Sequence, residues 1–137
     1  MNEVTETRRL AVGPDAVRDA MADLEAFVMA AGFDEVTVDG DRITVANRVG
    51  VADIELELEV VEREGAALAY EQREGIFEAM WTEYVVDPRG EGGCEVTART
   101  AFSLDVPVVG DVLDATVIER QRRKELTAQL DWLAAEA

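Results

Sequence analysis

Glu71, Arg73 and Tyr84 are the residues whose types and spacing best suit acid–base work in this chain. Glu71 and Arg73 fall on one face of an extended segment, because side chains alternate along a strand. Turned inward, a carboxylate and a guanidinium are costly unless paired, and for that reason they are candidates for polarising a ligand or moving its protons. A one-residue slip in the strand before Gly75 places Tyr70 and Gln72 inside instead, and the residues alone leave both phases open. The chain has no histidine and a single cysteine, Cys94. Ser-His-Asp and Cys-His mechanisms are therefore excluded, as is an intrachain disulfide. The run Glu119-Arg-Gln-Arg-Arg-Lys-Glu125 resembles a phosphate site, but Glu119 and Arg123 stand at i,i+4, the spacing of a solvated ion-paired helix face. Acid pairs such as Asp39 with Asp41, and Asp111 with Asp114, are ordinary in so acidic a chain. No EF-hand or other spaced ligand set occurs, so neither a metal nor a cofactor is expected.

The elements that must position these residues follow from periodicity and punctuation. Val4 to Val12 reads as an opening strand ended by Gly13-Pro14, and Val17, Ala20, Met21, Leu24, Phe27, Val28 and Ala31 then keep a helical period up to Gly32. One helix or two short ones fit that stretch. Asp39-Gly40 between Val36-Thr-Val38 and Arg42-Ile-Thr-Val45 is a hairpin signal. Gly50, Glu64-Gly65, Glu74-Gly75 and the glycine-rich loop from Asp87 to Gly93 separate further strands, which gives an antiparallel meander. After Pro107 the chain can stay helical to its end.

The strand from Ile76 to Val86 carries bulky groups on both faces: Ile76, Met80 and Tyr84 on one, Phe77, Trp81 and Val85 on the other. A loop symmetric about Gly90 sets Tyr84 opposite Val96, Met80 opposite Thr100 and Trp81 opposite Arg99. The first set then shares an inner face with Val96, Ala98, Phe102 and Leu104. On the other face Trp81 and Arg99 suit a cation–π pair. With Phe77 and Val85, Trp81 makes an apolar patch that is either covered by a loop or used as a homodimer contact, the Phe77/Trp81 face. A bulge at Gly75 or near Gly92-Gly93 reverses the phase and turns Trp81 inward.

Strand, helical segment, long meander and terminal helix describe an α+β helix-grip fold: a curved antiparallel sheet wrapped around a long C-terminal helix, with one or two short helices after the first strand. The Glu74-Gly-Ile-Phe77 segment, the Trp81 strand, the Gly92-Gly-Cys-Glu-Val-Thr97 hairpin return and the terminal helix resemble the START-like (SRPBCC) superfamily. The polyketide cyclase/dehydrase-like and coenzyme Q-binding-like branches are nearest. Arg9-Leu-Ala-Val-Gly-Pro-Asp-Ala-Val17 and Met21-Ala-Asp-Leu24 resemble its first strand and helix. Phe27 to Gly32 lacks the Tyr-Pro or Trp-containing segment that many members carry there. The resemblance implies one domain over residues 1–137 and a cavity between sheet and terminal helix for a small hydrophobic or amphipathic ligand. It would be lined by Leu56, Leu58, Met80, Tyr84 and Phe102 from the sheet and by Val112, Leu113 and Thr116 from the C-terminal segment. A lipid, an isoprenoid quinone or a polycyclic aromatic fits such a space. A cyclase or dehydratase working through Glu71, Arg73 or Tyr84, and a protein-interaction module, are the competing functions.

Composition narrows the partners. Thirty acidic against 13 basic residues give a net charge of −17 over 137 residues, and Lys124 is the sole lysine. That charge repels nucleic acid and anionic membrane surfaces. The N-terminus is too charged for a signal peptide, and no apolar run approaches the roughly 18 residues that cross a bilayer, so a cytoplasmic protein without integral membrane association is expected. Scarce lysine, acidic surface and small aliphatics resemble the proteins of salt-in halophiles. Repulsion among the carboxylates opposes the compact state and salt screens it, so the thermal midpoint by circular dichroism should rise between about 0.1 M and about 2 M KCl, salt levels that bracket weak and strong screening. A flat or falling midpoint would mean that the acidic surface is not an adaptation to brine.

Overall fold

The computed structural model describes residues 1–104 and 114–137. Strand β1 (Asn2–Leu10) is followed by helices α1 (Pro14–Ala22) and α2 (Leu24–Met29). Strands β2 (Glu35–Asp39), β3 (Arg42–Val49), β4 (Ala52–Val60), β5 (Leu68–Glu74), β6 (Phe77–Arg89) and β7 (Gly93–Leu104) form the meander, and α3 (Ala115–Glu136) closes the described chain. All seven strands join one antiparallel sheet in the order β1-β7-β6-β5-β4-β3-β2. This is the expected helix-grip arrangement. The helical stretch after β1 is two helices: Asp23 ends the first and caps the second, its carboxylate accepting from the Ala26 backbone N–H.

Burial explains why α3 lies on the concave face. Ile118, Leu126, Leu130 and Leu133 are at most 2% exposed and pack with Val4, Tyr84, Val96, Ala98 and Phe102 in one continuous core. Phe27 and Val28 of α2 are fully buried in the same core, so the short helices cover one end of the grip.

The β6–β7 hairpin keeps the expected faces but slides by two residues. Tyr84 stands opposite Ala98, Met80 opposite Phe102, and Glu83, not Trp81, opposite Arg99. The loop is centred one residue later than Gly90, since Arg89 pairs with Gly93. A shift of two preserves the side-chain alternation, which is why Val96, Ala98 and Phe102 still point inward. Two irregularities change the rest. Between Phe77 and Ala79 the β6–β7 register slips, and Phe77 turns into the core at 7% exposure, its ring 5.3 Å from that of Phe102. The Phe77/Trp81 face is therefore not formed. Trp81 stays on the convex side, where the guanidinium carbons of Arg63 and Arg99 lie 4.0 and 5.5 Å from its ring centroid. Both arginines also bond Glu83, so an ionic lid covers the indole.

The second irregularity, between Glu57 and Leu58, sets β5 in the phase with Tyr70 inward. Glu71 and Arg73 lie on the convex side, where Arg73 pairs with Glu59 and Glu71 at 2.6 Å each. At the turn into β6 the Gln72 amide substitutes for a strand neighbour: its Nε2 donates to the Phe77 carbonyl at 2.9 Å and its Oε1 accepts from the Phe77 N–H at 3.2 Å. Gly75 makes room for that amide, because a Cβ there would lie 2.3 Å from Gln72 Oε1 and 2.4 Å from Leu56 Cδ2. The Gly75→Ala variant should lose about 1–3 kcal/mol, the usual cost of overpacking, measured by urea denaturation. An unchanged midpoint would show that Gln72 has another place to go.

Candidate functional site

Helical spacing on α3 brings a polar stripe to the concave face. Arg122, Glu125 and Gln129 continue the line of Ile118 toward Leu133, and all three are buried, at 5%, 3% and 1% exposure. A buried charge needs a counter-charge and hydrogen bonds, and both are present. Arg122 Nη1 donates to Glu125 Oε1, and Arg122 Nη2 donates to Thr82 and Thr100 at 2.8 and 2.9 Å. Those two threonines are cross-strand partners on β6 and β7, so one guanidinium nitrogen clamps two strands to the helix. The proton order follows from the single hydrogen on each hydroxyl. Thr100 donates to the Trp81 carbonyl at 3.0 Å, which leaves Thr82 to donate to Thr100 at 2.9 Å. Glu125 Oε2 accepts from Gln121 at 3.1 Å. Burial works to lower the Arg122 pKa, but attraction to Glu125 outweighs it, with further help from Tyr70 and Tyr84, and the guanidinium stays charged.

A second polar line runs beside the first. Gln129 Nε2 donates to the Phe27 carbonyl at 3.2 Å, which fixes its Oε1 as the acceptor for the Tyr84 hydroxyl. Tyr84 has no second proton, so Tyr70 is the donor in the 2.9 Å contact between the two phenols. Burial pushes the Tyr84 pKa well above its ordinary value, and Tyr70 adds to the shift. Tyr84 is thus a neutral, fully committed phenol. It is poorly suited to passing protons.

Beside Arg122 lies a cavity of about 30 Å³. Val45 and Val49 of β3, Ile54 and Leu56 of β4, Phe33, Phe77 and Ile118 supply its apolar wall, and Asn47, Gln121, Arg122 and Glu125 its polar part. The Nε–H of Arg122 is buried and has no partner among the described residues. Among the residues expected to line a cavity, Leu56 does so. Leu58, Met80, Tyr84 and Phe102 are buried in the packed interior away from it. Thr116 is exposed near the start of α3, and Val112 and Leu113 lie outside the described residues. Neither Glu71 nor Arg73 faces this space. In the basic cluster Arg123 pairs with Glu6 of β1 in place of Glu119, and the functional interest falls on its neighbours Arg122 and Glu125.

A family model described as polyketide cyclase/dehydrase and lipid transport matches residues 1–137. The chain belongs to this family. Its START-like architecture recurs in solved structures of low identity. The ZhuI aromatase/cyclase of a Streptomyces species is 18% identical at a TM-score of 0.73, over 96% of this chain and 93% of that one. A Thermus thermophilus protein is 19% identical at 0.72, over 98% of both chains. A START superfamily protein of Mycobacterium smegmatis is 11% identical at 0.70, over 97% and 94%. No curated protein matches the chain. No helix among the described residues is long and apolar enough to cross a membrane.

The neutral state of Tyr84 has a consequence for alkaline stability. Below the ordinary phenol pKa of about 10 the group is uncharged in both folded and unfolded chains. Above it the unfolded chain loses the proton first, so the unfolded state binds fewer protons and stability falls as pH rises. Tyr84→Phe forfeits the hydrogen bond to Gln129 but also this penalty. The gap between wild-type and variant thermal midpoints should therefore narrow between about pH 8 and about pH 11, a range that spans the free phenol pKa. A gap that stays constant would contradict the burial of an un-ionised phenol.

Proposed function

We propose that this chain, as one domain, is a non-catalytic binder of a small apolar or amphipathic molecule, held between the β3–β4 part of the sheet and α3. The observation that carries this reading is the cavity itself: among the described residues, seven apolar side chains surround a space whose polar part includes the buried Arg122–Glu125 pair. Ligand sites are mostly apolar concavities with a few placed polar groups. The family description, which names both cyclase/dehydrase activity and lipid transport, is compatible with it. The cavity holds only a water or two as it stands, so a ring-sized guest requires Ile118 or Phe77 to give way.

A cyclase or dehydratase using the same cavity is the competing reading, supported by the likeness to the ZhuI aromatase/cyclase. Binding is favoured because Glu125, the one carboxylate among the described residues that line the cavity, is engaged by Arg122 and Gln121. A protein-interaction role loses its motivating patch, since Phe77 is buried and Trp81 lies beneath two arginines. Native mass spectrometry of freshly purified protein should find a co-purifying small molecule that an Ile118→Trp variant, with the cavity filled, no longer retains. An adduct-free wild type that also shows no saturable amide shifts around Val45 to Leu56 on NMR titration with ethylbenzene would overturn the binding reading.

A further inference from the structure

Phe77 reaches the cavity against the alternation of its own strand. Going back along β6 from buried Met80, Ala79 and Glu78 are exposed in succession before Phe77 is buried again. Regular alternation would set Phe77 on the side of Trp81. The register slip between Phe77 and Ala79 turns the ring inward instead. The Phe77 backbone is then held from two directions: Leu104 of β7 stands opposite it, and the Gln72 amide bonds both its N–H and its carbonyl. Gly75 is what leaves room for that amide.

The ring has the cavity on one side and close packing on the other. It lines the space with Ile54, Leu56 and Ile118, and its centroid lies 5.3 Å from that of the fully buried Phe102. Phe77 is therefore the partition between the cavity and the packed interior around Met80 and Phe102. To displace it, a guest must break two hydrogen bonds and disturb two strands. Ile118 yields more easily, because its terminal ethyl group can rotate while the helix backbone stays in place. Resting on the ligand-binding reading, we propose that Phe77 sets the size of the guest: it is a fixed wall, room is made at Ile118, and the space of about 30 Å³ expands to take one ring but not two fused rings.

Ethylbenzene and naphthalene are both uncharged and apolar, and they differ in needing room for one ring or two. NMR titration of the labelled wild type should show saturable binding of ethylbenzene and an affinity for naphthalene about tenfold lower, the lower end of what overpacking costs. Phe77→Ala should reverse that order. Where this variant does not fold, Phe77→Leu serves instead and should narrow the gap. Gln72→Leu, which frees the Phe77 backbone, should narrow it as well. Met80→Ala also removes buried bulk, but away from the cavity, and should leave the order of the two probes as it is in wild type. Equal affinity of the wild type for both probes, an unchanged order in the Phe77 variant, or a reversal by Met80→Ala would overturn the wall and leave ligand binding standing. A wild type that binds neither probe would overturn the ligand-binding reading. Phe77 then still stands as the partition if its Ala variant gains naphthalene, and falls if it does not.

Discussion

One guanidinium, buried under a sheet in a chain of net charge −17, sets the terms for the interior. Arg122 needs partners where it lies, and its two terminal nitrogens find them in three elements: Glu125 on its own helix, Thr82 on β6 and Thr100 on β7. Apolar packing alone allows a helix to slide along a sheet, because one aliphatic contact substitutes for another at little cost. Directed hydrogen bonds to a cross-strand pair of threonines do not allow it. Tyr84 and Gln129 repeat the device nearly two helical turns on and tie α3 to the Phe27 carbonyl of α2. The helix is thus fixed in register at two points, and the cavity lies against the first of them.

The sheet contributes by being irregular at two places. Slips at Glu57/Leu58 and at Phe77/Ala79 flank the β5–β6 turn, and together they turn Tyr70 and Phe77 inward while sending Glu71 and Arg73 out. A regular ladder would have buried an arginine and a glutamate next to β6 instead. The Gln72 amide makes good the backbone bonds that Phe77 loses, so the irregularity leaves no buried peptide group stranded there.

Much of this was legible from residue order. Glycine-punctuated strands, the helical period after Pro14 and the long C-terminal helix specified the helix grip, and Trp81 with Arg99 was recognisable as a cation–π pair even though their register was misplaced by two. The phase of β5 was not legible, because alternation fixes which residues share a face but not where a ladder slips. Arg122 and Glu125 were hidden for another reason. They sit in a run of charges whose i,i+4 spacing reads as a solvated surface, and only their alignment with Ile118 and Leu133 gives the inward stripe away. Charge content suggested the outside of the helix, whereas periodicity pointed within. The packing around Met80 and Phe102 displaced the cavity toward β3 and β4, an outcome of side-chain volumes that no strand pattern contains.

The Arg122–Glu125 pair holds helix to sheet, and a double-mutant cycle measures that coupling without reference to any ligand. Arg122→Met and Glu125→Leu, singly and together, are to be compared by chemical denaturation. Each single variant strands a buried charge and should lose about 3–5 kcal/mol, whereas the double variant, an apolar replacement of both partners, should lose far less than their sum. Single losses below about 0.5 kcal/mol, the size of an ordinary surface substitution, or losses that simply add, would contradict the claim that this pair organises the interior.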